Sequence, residues 1–375
     1  MFTQFGVDDL SAALASKQRI GFGGLLRSPW LHPLNDATAW ESMLSAVNPM
    51  WSTRGIPARV KGIIDETADT KTFVLRPKGN WTGYRAGQHV VVEVEINGRR
   101  LHRSFSLSSN PSSGRELQIT VKRHPNAQVS NWMHANVKVG DVLRLSEPAG
   151  SFCVPDGDAE PLLLLSAGSG ITPLMSILRE LHLRGHAQPV VFLHCCRAPA
   201  DFIFARELAA LAASWPMLDL RVHYSVGAGR LDTAAISQQL PDFVRYQVLV
   251  CGPSAFTEAV EHMYRLAGVP ERVRSESYSG RVLPRSDAAI ASHPIHCLVT
   301  EQAFTARGDR GLLGEAEVAG LKPAHGCRIG ICKTCQCLKR SGSVENLRTG
   351  VISSEPNELI QLCISVARSP LELAL

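Results

Sequence analysis

The chain has 375 residues, of which 45% are hydrophobic and 19% charged, so it can build two or three folded domains and is too apolar to be disordered. Its net charge of +5 is spread along the sequence, with no basic block or aromatic-interleaved stripe, which argues against nucleic acid as a main partner. No apolar run reaches the roughly eighteen residues of a membrane span. The opening MFTQFGVDDLSAAL lacks the basic start and apolar centre of a secretory signal. A cytoplasmic monomer is therefore expected, peripheral to a membrane only through a partner. In that reducing setting the ten cysteines are thiols or metal ligands. Those at 153, 195, 196, 251 and 297 sit in apolar stretches and read as small buried hydrophobes.

In chain order, residues 1–53 contain DLSAALASK and TAWESMLSAV, broken by Gly and Pro, and predict a helical extension. From 54 to 155 the pattern is β-like. HVVVEVEI, LQITVK and VLRL are short runs of branched residues, and Asn97-Gly98 between two such runs signals a hairpin. Short strands with regular turns predict a small antiparallel β-barrel. Between 156 and 280, LLLLS, VVFLHCC, LDLRVHYS and YQVLVC are nearly continuous apolar runs alternating with stretches such as PLMSILRELHLR. That alternation predicts an α/β unit whose parallel sheet is buried on both faces. Residues 281–293 have linker composition, and 294–375 form a third strand-and-loop unit of α+β type.

The third unit holds GCRIGICKTCQC at 326–337. Cys327, Cys332 and Cys335 are spaced C-x4-C-x2-C, and Cys363 follows 28 residues after Cys335. This spacing matches plant-type [2Fe–2S] ligation, in which a tight loop wraps the cluster and a distant strand closes the tetrathiolate. Gly326 and Gly330 let the loop curl so that its N–H groups can face the sulfurs. Structural zinc would ask for two short Cys knuckles, and the sequence has one. Cys337 stands too near Cys335 to share the cluster and reads as a buried strand thiol. Residues 294–375 resemble a plant-type ferredoxin, through GLLGEAEVAGLKPAHGCRIGICKTCQCLKRSGSV and LIQLCISVARSP. The resemblance implies a β-grasp domain. Lys333 replaces the family's usual Gly. With Arg328, Lys339 and Arg340 it puts positive charge around a site that free ferredoxins keep acidic. Such charge is expected to raise the cluster potential above about −400 mV.

A one-electron centre needs a source. Arg103-Ser104-Phe105-Ser106 on a barrel strand would suit a flavin, with the Arg on a phosphate, the ring on the isoalloxazine and Ser106 near its N5. Taken alone, the same residues fit an ordinary strand with a surface Arg. The stretch resembles the R-x-[Tyr/Phe]-S motif of the ferredoxin–NADP reductase superfamily. VKRHPNAQVSNWM resembles that family's phosphate loop, with Ser130 as the phosphate-binding serine and Ala127 in place of a usual Gly. In SAGSGITPLMSIL, Gly168, Gly170, Thr172 and Pro173 fit the family's G-x-G-x-x-P turn, which lets a nucleotide approach a helix N-terminus. Cys251-Gly252-Pro253 is similar to the CGP motif beside the reacting carbon, and Glu276-Ser277-Tyr278 to the acidic-plus-aromatic ending whose ring shields the flavin. The resemblance covers about residues 54–375. It implies FAD rather than FMN, with Ser106, Cys251 and Glu276 in the chemistry. After the third parallel strand, HYSVGAGR carries no acidic residue to repel a 2′-phosphate, and Ser225 and Arg230 could bind one, with Arg197 a weaker candidate. That favours NADPH over NADH.

NPMWS at 48–52, with the short helices before it, resembles the reductase partners of membrane di-iron fatty acyl desaturases. The expectation is an NADPH-dependent electron-transfer reductase passing single electrons through [2Fe–2S] to such a desaturase. Two alternatives stay open: the reductase component of an oxygenase, and a non-catalytic flavin and iron–sulfur redox sensor.

Overall fold

The computed structural model describes residues 47–51, 55–78, 81–112, 114–125, 127–154, 160–278, 291–308, 310–326, 330, 334–347 and 349–375. The chain divides into two compact units, Met1–Arg54 and Gly55–Leu375. In the first, Pro49–Trp51 form a 3-10 turn, with the Trp51 amide donating to the Asn48 carbonyl at 2.8 Å. The rest of the expected helical extension lies outside the described residues.

In the larger unit, strands β1 (Ile56–Thr67), β2 (Thr70–Pro77), β3 (His89–Ile96), β4 (Arg99–Ser106), β5 (Leu117–Lys122) and β6 (Val142–Leu145) form an antiparallel sheet in the order β4-β3-β6-β1-β2-β5. A Leu107–Ile119 bridge joins its two ends and closes the barrel. Asn97 (φ 52°) and Gly98 (φ 72°) make the β3–β4 turn with both residues left-handed, as a two-residue hairpin that follows the strand twist requires. Along β3, Val90, Val92 and Val94 point into the barrel core. The helix α1 (Gln128–Asn136) packs Val129 and Met133 against the same core.

The second part is a five-stranded sheet in the order β11-β10-β7-β8-β9, from β7 (Leu162–Ala167), β8 (Val190–Cys196), β9 (Leu218–Tyr224), β10 (Gln247–Gly252) and β11 (Val273–Ser277). All its pairings are parallel. One apolar cluster, under α2 (Ile171–Leu183) and α3 (Ala205–Ser214), covers one face. A second cluster covers the other face, under α4 (Thr233–Gln239) and α5 (Ser254–Leu266). The continuous apolar runs follow from this double burial.

Arg179 of α2 ties the barrel to this sheet. Its guanidinium forks onto Glu207, donates to the Ser108 carbonyl and to Gln118 Oε1, and lies 5.3 Å from the Phe204 ring centre. Ser176 of the same helix donates to the Ser109 carbonyl at 2.6 Å.

The C-terminal part contains β12 (His293–Cys297), β13 (Gln302–Ala306), α6 (Leu312–Val318), β14 (Gln336–Ser341), β15 (Val344–Asn346), β16 (Ile352–Ser353), β17 (Glu358–Gln361), β18 (Ser365–Ala367) and β19 (Leu371–Leu373). Five of these strands form a mixed sheet, β13-β12-β19-β14-β17, with the β12–β19 pair parallel. Of the expected linker, residues 281–290 lie outside the described residues, and its last residue, His293, begins β12. Cys337 is a buried thiol of β14, as its place in CLKR predicts. Lys339 departs from expectation. Two residues on, it faces the same buried side with 0% exposure, its Nζ 2.9 Å from Glu358 Oε2 and 3.0 Å from the Ser353 carbonyl. It therefore adds no charge to the surface around the cysteines. Among the described residues, no helix is long and apolar enough to cross a membrane.

Candidate functional site

A cavity of about 530 Å³ opens where the three parts of the larger unit meet. The barrel lines it with His89, Arg103, Ser104, Phe105, Ser106 and Ser130, and the parallel sheet with Ser169, Thr172, Cys251, Glu276 and Tyr278. His325 and Gly326, immediately before the cysteine loop, complete the wall.

The β4 strand contributes residues of both its faces to this wall. Phe105 sits on the inner face and packs partly against the barrel core while its ring lines the cavity. Ser104 and Ser106 are on the outer face. Two hydroxyls in this wall, Ser104 Oγ and Ser130 Oγ, are buried with no hydrogen-bond partner among the described residues. A buried hydroxyl left unpaired costs on the order of 1–3 kcal/mol, so both mark places where a polar ligand atom would fit. Beside them lie Arg103, Lys122 and His124. Burial, followed by the neighbouring Lys122 and Arg103 charges, holds the His124 imidazole below its ordinary pKa. Lys122 is paired with Asp69 at 2.9 Å, and Arg103 beside the two hydroxyls supplies positive charge that a phosphate group would meet.

At the other end of the cavity, the turn Gly168–Gly170 leads from β7 into α2. A Cβ on Gly170 would lie 2.2 Å from the Cys251 carbonyl oxygen. The side of Gly170 on which a Cβ would stand is thus taken by the chain's own backbone on β10. Thr172 is buried and donates to the Ser169 carbonyl at 3.0 Å, whereas Pro173 and Gly252 are buried away from the cavity wall. Pro253 precedes α5 in extended conformation. Cys251 and Glu276 are partners across the parallel β10–β11 pair. Burial, then the Glu276 charge, pushes the Cys251 thiol well up, so it stays protonated and is no nucleophile. Tyr278 hangs over the Gly168 turn, with its hydroxyl 3.3 Å from the Ala167 carbonyl and its pKa raised to about 12 mainly by burial. Ser225 and Arg230 lie beyond the end of β9, outside the cavity wall, in a turn whose Val226 amide donates to the Arg197 carbonyl.

Sequence reasoning missed His89, Ser104, Lys122 and His124. The basic run VKRH before the phosphate-loop stretch was the one available signal for Lys122 and His124. For His89 nothing local could serve, because its neighbour Glu276 is 187 positions away in the chain.

Of the four expected cluster ligands, Cys327 and Cys332 lie outside the described residues. Cys335 is buried at the end of that loop, and its carbonyl accepts from the Leu362 amide at 3.0 Å, which brings Cys363 alongside. Gln361 Nε2 donates to the Gly330 carbonyl at 3.1 Å, fixing the loop to β17. Gly311, whose Cβ would stand 2.6 Å from the Cys363 carbonyl oxygen, admits the close approach from the third side.

Known families match the first two of these three parts. Residues 57–153 match the family model described as an oxidoreductase FAD-binding domain, and residues 164–262 match the oxidoreductase NAD-binding domain. An NADPH oxidoreductase of Mycobacterium tuberculosis is 34% identical over 369 residues, covering 96% of each chain. The chain belongs to the ferredoxin–NADP reductase family. It is an NAD(P)H oxidoreductase with FAD- and NAD-binding domains, which sets aside the non-catalytic sensor. The glycine betaine monooxygenase reductase subunit of Pseudomonas aeruginosa is 32% identical, over 81% of this chain and 90% of its own. Among solved structures, phthalate dioxygenase reductase superposes with a TM-score of 0.59 over 86% of this chain and 98% of its own, at 24% identity. That last likeness is one of fold.

Proposed function

We propose that this reductase takes electrons from NADPH and delivers them one at a time, through a [2Fe–2S] cluster, to the oxygenase component of a monooxygenase or dioxygenase system. The observation that carries the reading is the shared cavity, with flavin-type motifs on two walls and the start of the cysteine loop on the third. In this reading Arg103 and Ser130 hold the FAD phosphates, Phe105 and Tyr278 bracket the ring, and Ser106 meets its N5 edge. Gly168, Thr172, Cys251, Gly252 and Pro253 shape the nicotinamide side, while Gly170 and Pro173 set the turn that supports it. Ser225 and Arg230 receive the 2′-phosphate, and the name of the mycobacterial relative supports NADPH. Cys327, Cys332, Cys335 and Cys363 hold the cluster, a reading supported by the mixed C-terminal sheet and by the cluster named for phthalate dioxygenase reductase. When bound, the flavin converts a two-electron donor into single electrons and the cluster carries them out. The protein's own share is to hold donor and acceptor edges together and to keep water from the transfer path.

The oxygenase is preferred because the glycine betaine and phthalate proteins are reductases of oxygenases by name. The membrane di-iron desaturase is retained as a second reading only on the resemblance of NPMWS at 48–52, and no relative reported above carries that name. Reconstituted turnover with an oxygenase component and with a desaturase, each against the same NADPH supply, separates them. Product from the oxygenase alone supports the proposal, and product from the desaturase alone overturns the choice of acceptor.

A further inference from the structure

Among the described residues that line the shared cavity, only His325 and Gly326 come from the C-terminal part. The cysteine spacing gives His325 no role. It precedes Cys327 by two positions, so the two Cα atoms lie within about 7.6 Å of each other whatever shape the loop takes. A ring in one wall of the cavity is therefore two peptide units from an expected cluster ligand.

The ring is held in place from two directions. Its Nδ1 lies 3.0 Å from the Pro323 carbonyl oxygen and 3.6 Å from Glu317 Oε1. A carbonyl only accepts, so Nδ1 carries a hydrogen and donates it. Glu317 is in the last turn of α6, whose Leu312, Leu313 and Ala316 are buried. Leu312 and Leu313 share an apolar cluster with Cys335. Just before the helix stands Gly311, where the missing Cβ admits the Cys363 carbonyl. Gly311 and Glu317 are six positions apart, or about 9 Å along the axis. One short helix thus touches the segment of Cys363 at its start and orients the His325 ring near its end.

The plainest account of His325 is a turn residue that bonds the carbonyl two positions back and shapes the approach to the loop. That role asks for a donor. It asks neither for a ring in the cavity wall nor for a carboxylate from α6 beside it. Passage of an electron between two centres makes and breaks no bond. It depends on how closely their edges are held and on filled space between them. A planar ring fixed between the cavity and the cysteine loop supplies both, and it can pack against the edge of another aromatic system.

We propose that the His325 ring is the contact across which electrons leave the flavin for the cluster, held there by the Pro323 carbonyl and Glu317. One electron moves at a time, from reduced flavin to oxidised cluster, and His325 itself gains and loses neither electron nor proton. The proposal rests on the reading that the flavin occupies this cavity and that Cys327, Cys332, Cys335 and Cys363 hold the cluster. A bridging ring differs from a turn residue because its shape matters and its hydrogen bond does not.

The test is rapid anaerobic mixing of the intact, cluster-loaded protein with NADPH, following flavin and cluster absorbance separately and the paramagnetic signal of the reduced cluster in freeze-quenched samples. His325→Asn keeps a donor for the Pro323 carbonyl and removes the ring. His325→Phe keeps a ring and removes the donor. Cluster reduction, measured against flavin bleaching in the same trace, should slow about a hundredfold in His325→Asn, as for a misplaced reacting edge. His325→Phe should run close to the wild-type rate. Wild-type transfer in His325→Asn overturns the proposal, and so does a His325→Phe as slow as His325→Asn. Iron content and cluster absorbance show whether each variant holds its cluster. If the ring substitutions lose it, Glu317→Ala takes their place, since it leaves the loop sequence intact and releases the ring from α6. Slowed cluster reduction there supports the bridge, and wild-type transfer overturns it. A wild-type protein whose flavin bleaches but which gives no cluster signal would instead overturn the [2Fe–2S] reading, and the proposal with it.

Discussion

Ser130 presents a buried hydroxyl that no atom among the described residues satisfies, beside Arg103 and Lys122. Desolvating it has a cost that the folded chain does not recover, so a ligand oxygen should. Ser130→Ala is expected to weaken FAD binding roughly tenfold to a hundredfold, as for loss of a hydrogen bond to a charged group, while leaving the melting temperature of the flavin-free protein unchanged or higher. Equilibrium dialysis against FAD, with thermal denaturation alongside, measures both. Gly170→Ala acts differently. Its backbone is ordinary, but the added methyl would stand 2.2 Å from the Cys251 carbonyl oxygen and 2.9 Å from the Gly252 nitrogen. Backbone cannot swing aside as a side chain does, so β10 and the turn must part. The expected loss is on the order of 1–3 kcal/mol of stability, with slower NADPH oxidation at unchanged FAD content. Denaturant unfolding and cofactor quantitation check these together.

At the scale of elements, α2 is the joint on which the cavity depends. Arg179 reaches from it to both Glu207 and the Ser108 carbonyl, so Arg179→Met should leave the Ser108 carbonyl and Gln118 with fewer partners and loosen the barrel against the sheet. About 2 kcal/mol of stability should be lost, seen as a lower urea midpoint. In β14, the hydrogen bond from Lys339 holds the Glu358 carboxyl below its ordinary range. A depressed carboxylate stabilises the fold above its unfolded pKa and loses that contribution as pH falls through its folded one. The C-terminal sheet should therefore weaken on acidification below about pH 4.5. Lys339→Met should flatten that part of the profile, followed by far-ultraviolet dichroism.

The strands themselves were legible where burial left a pattern. HVVVEVEI alternates because one face of β3 meets a core, and LLLLS runs apolar because helices cover both faces of β7. The Asn97-Gly98 turn could be read from two residues, since few others accept two left-handed conformations in a row. Lys339 could not be read. CLKR looks like a strand running out to solvent, and only the fold brings Glu358 to the buried amine. His89 and the Arg179 joint were hidden for the same reason, because their partners come from other domains.

For the whole molecule, the sequence motifs of the cavity belong to three separate segments, and their meaning is joint. Arg103, Cys251 and the cysteine loop are unremarkable strand and loop residues until the fold sets the first two and His325-Gly326 around one space. The arrangement explains how a pyridine nucleotide, which gives electrons in pairs, could serve an acceptor that takes them singly. The most direct measurement is an anaerobic titration with NADPH followed by visible absorbance. Flavin bands at about 450 nm and the broader cluster bands should both bleach, at about three electrons per chain, two for FAD and one for the cluster. Bleaching that stops at two electrons, with the flavin bands alone affected, would contradict it.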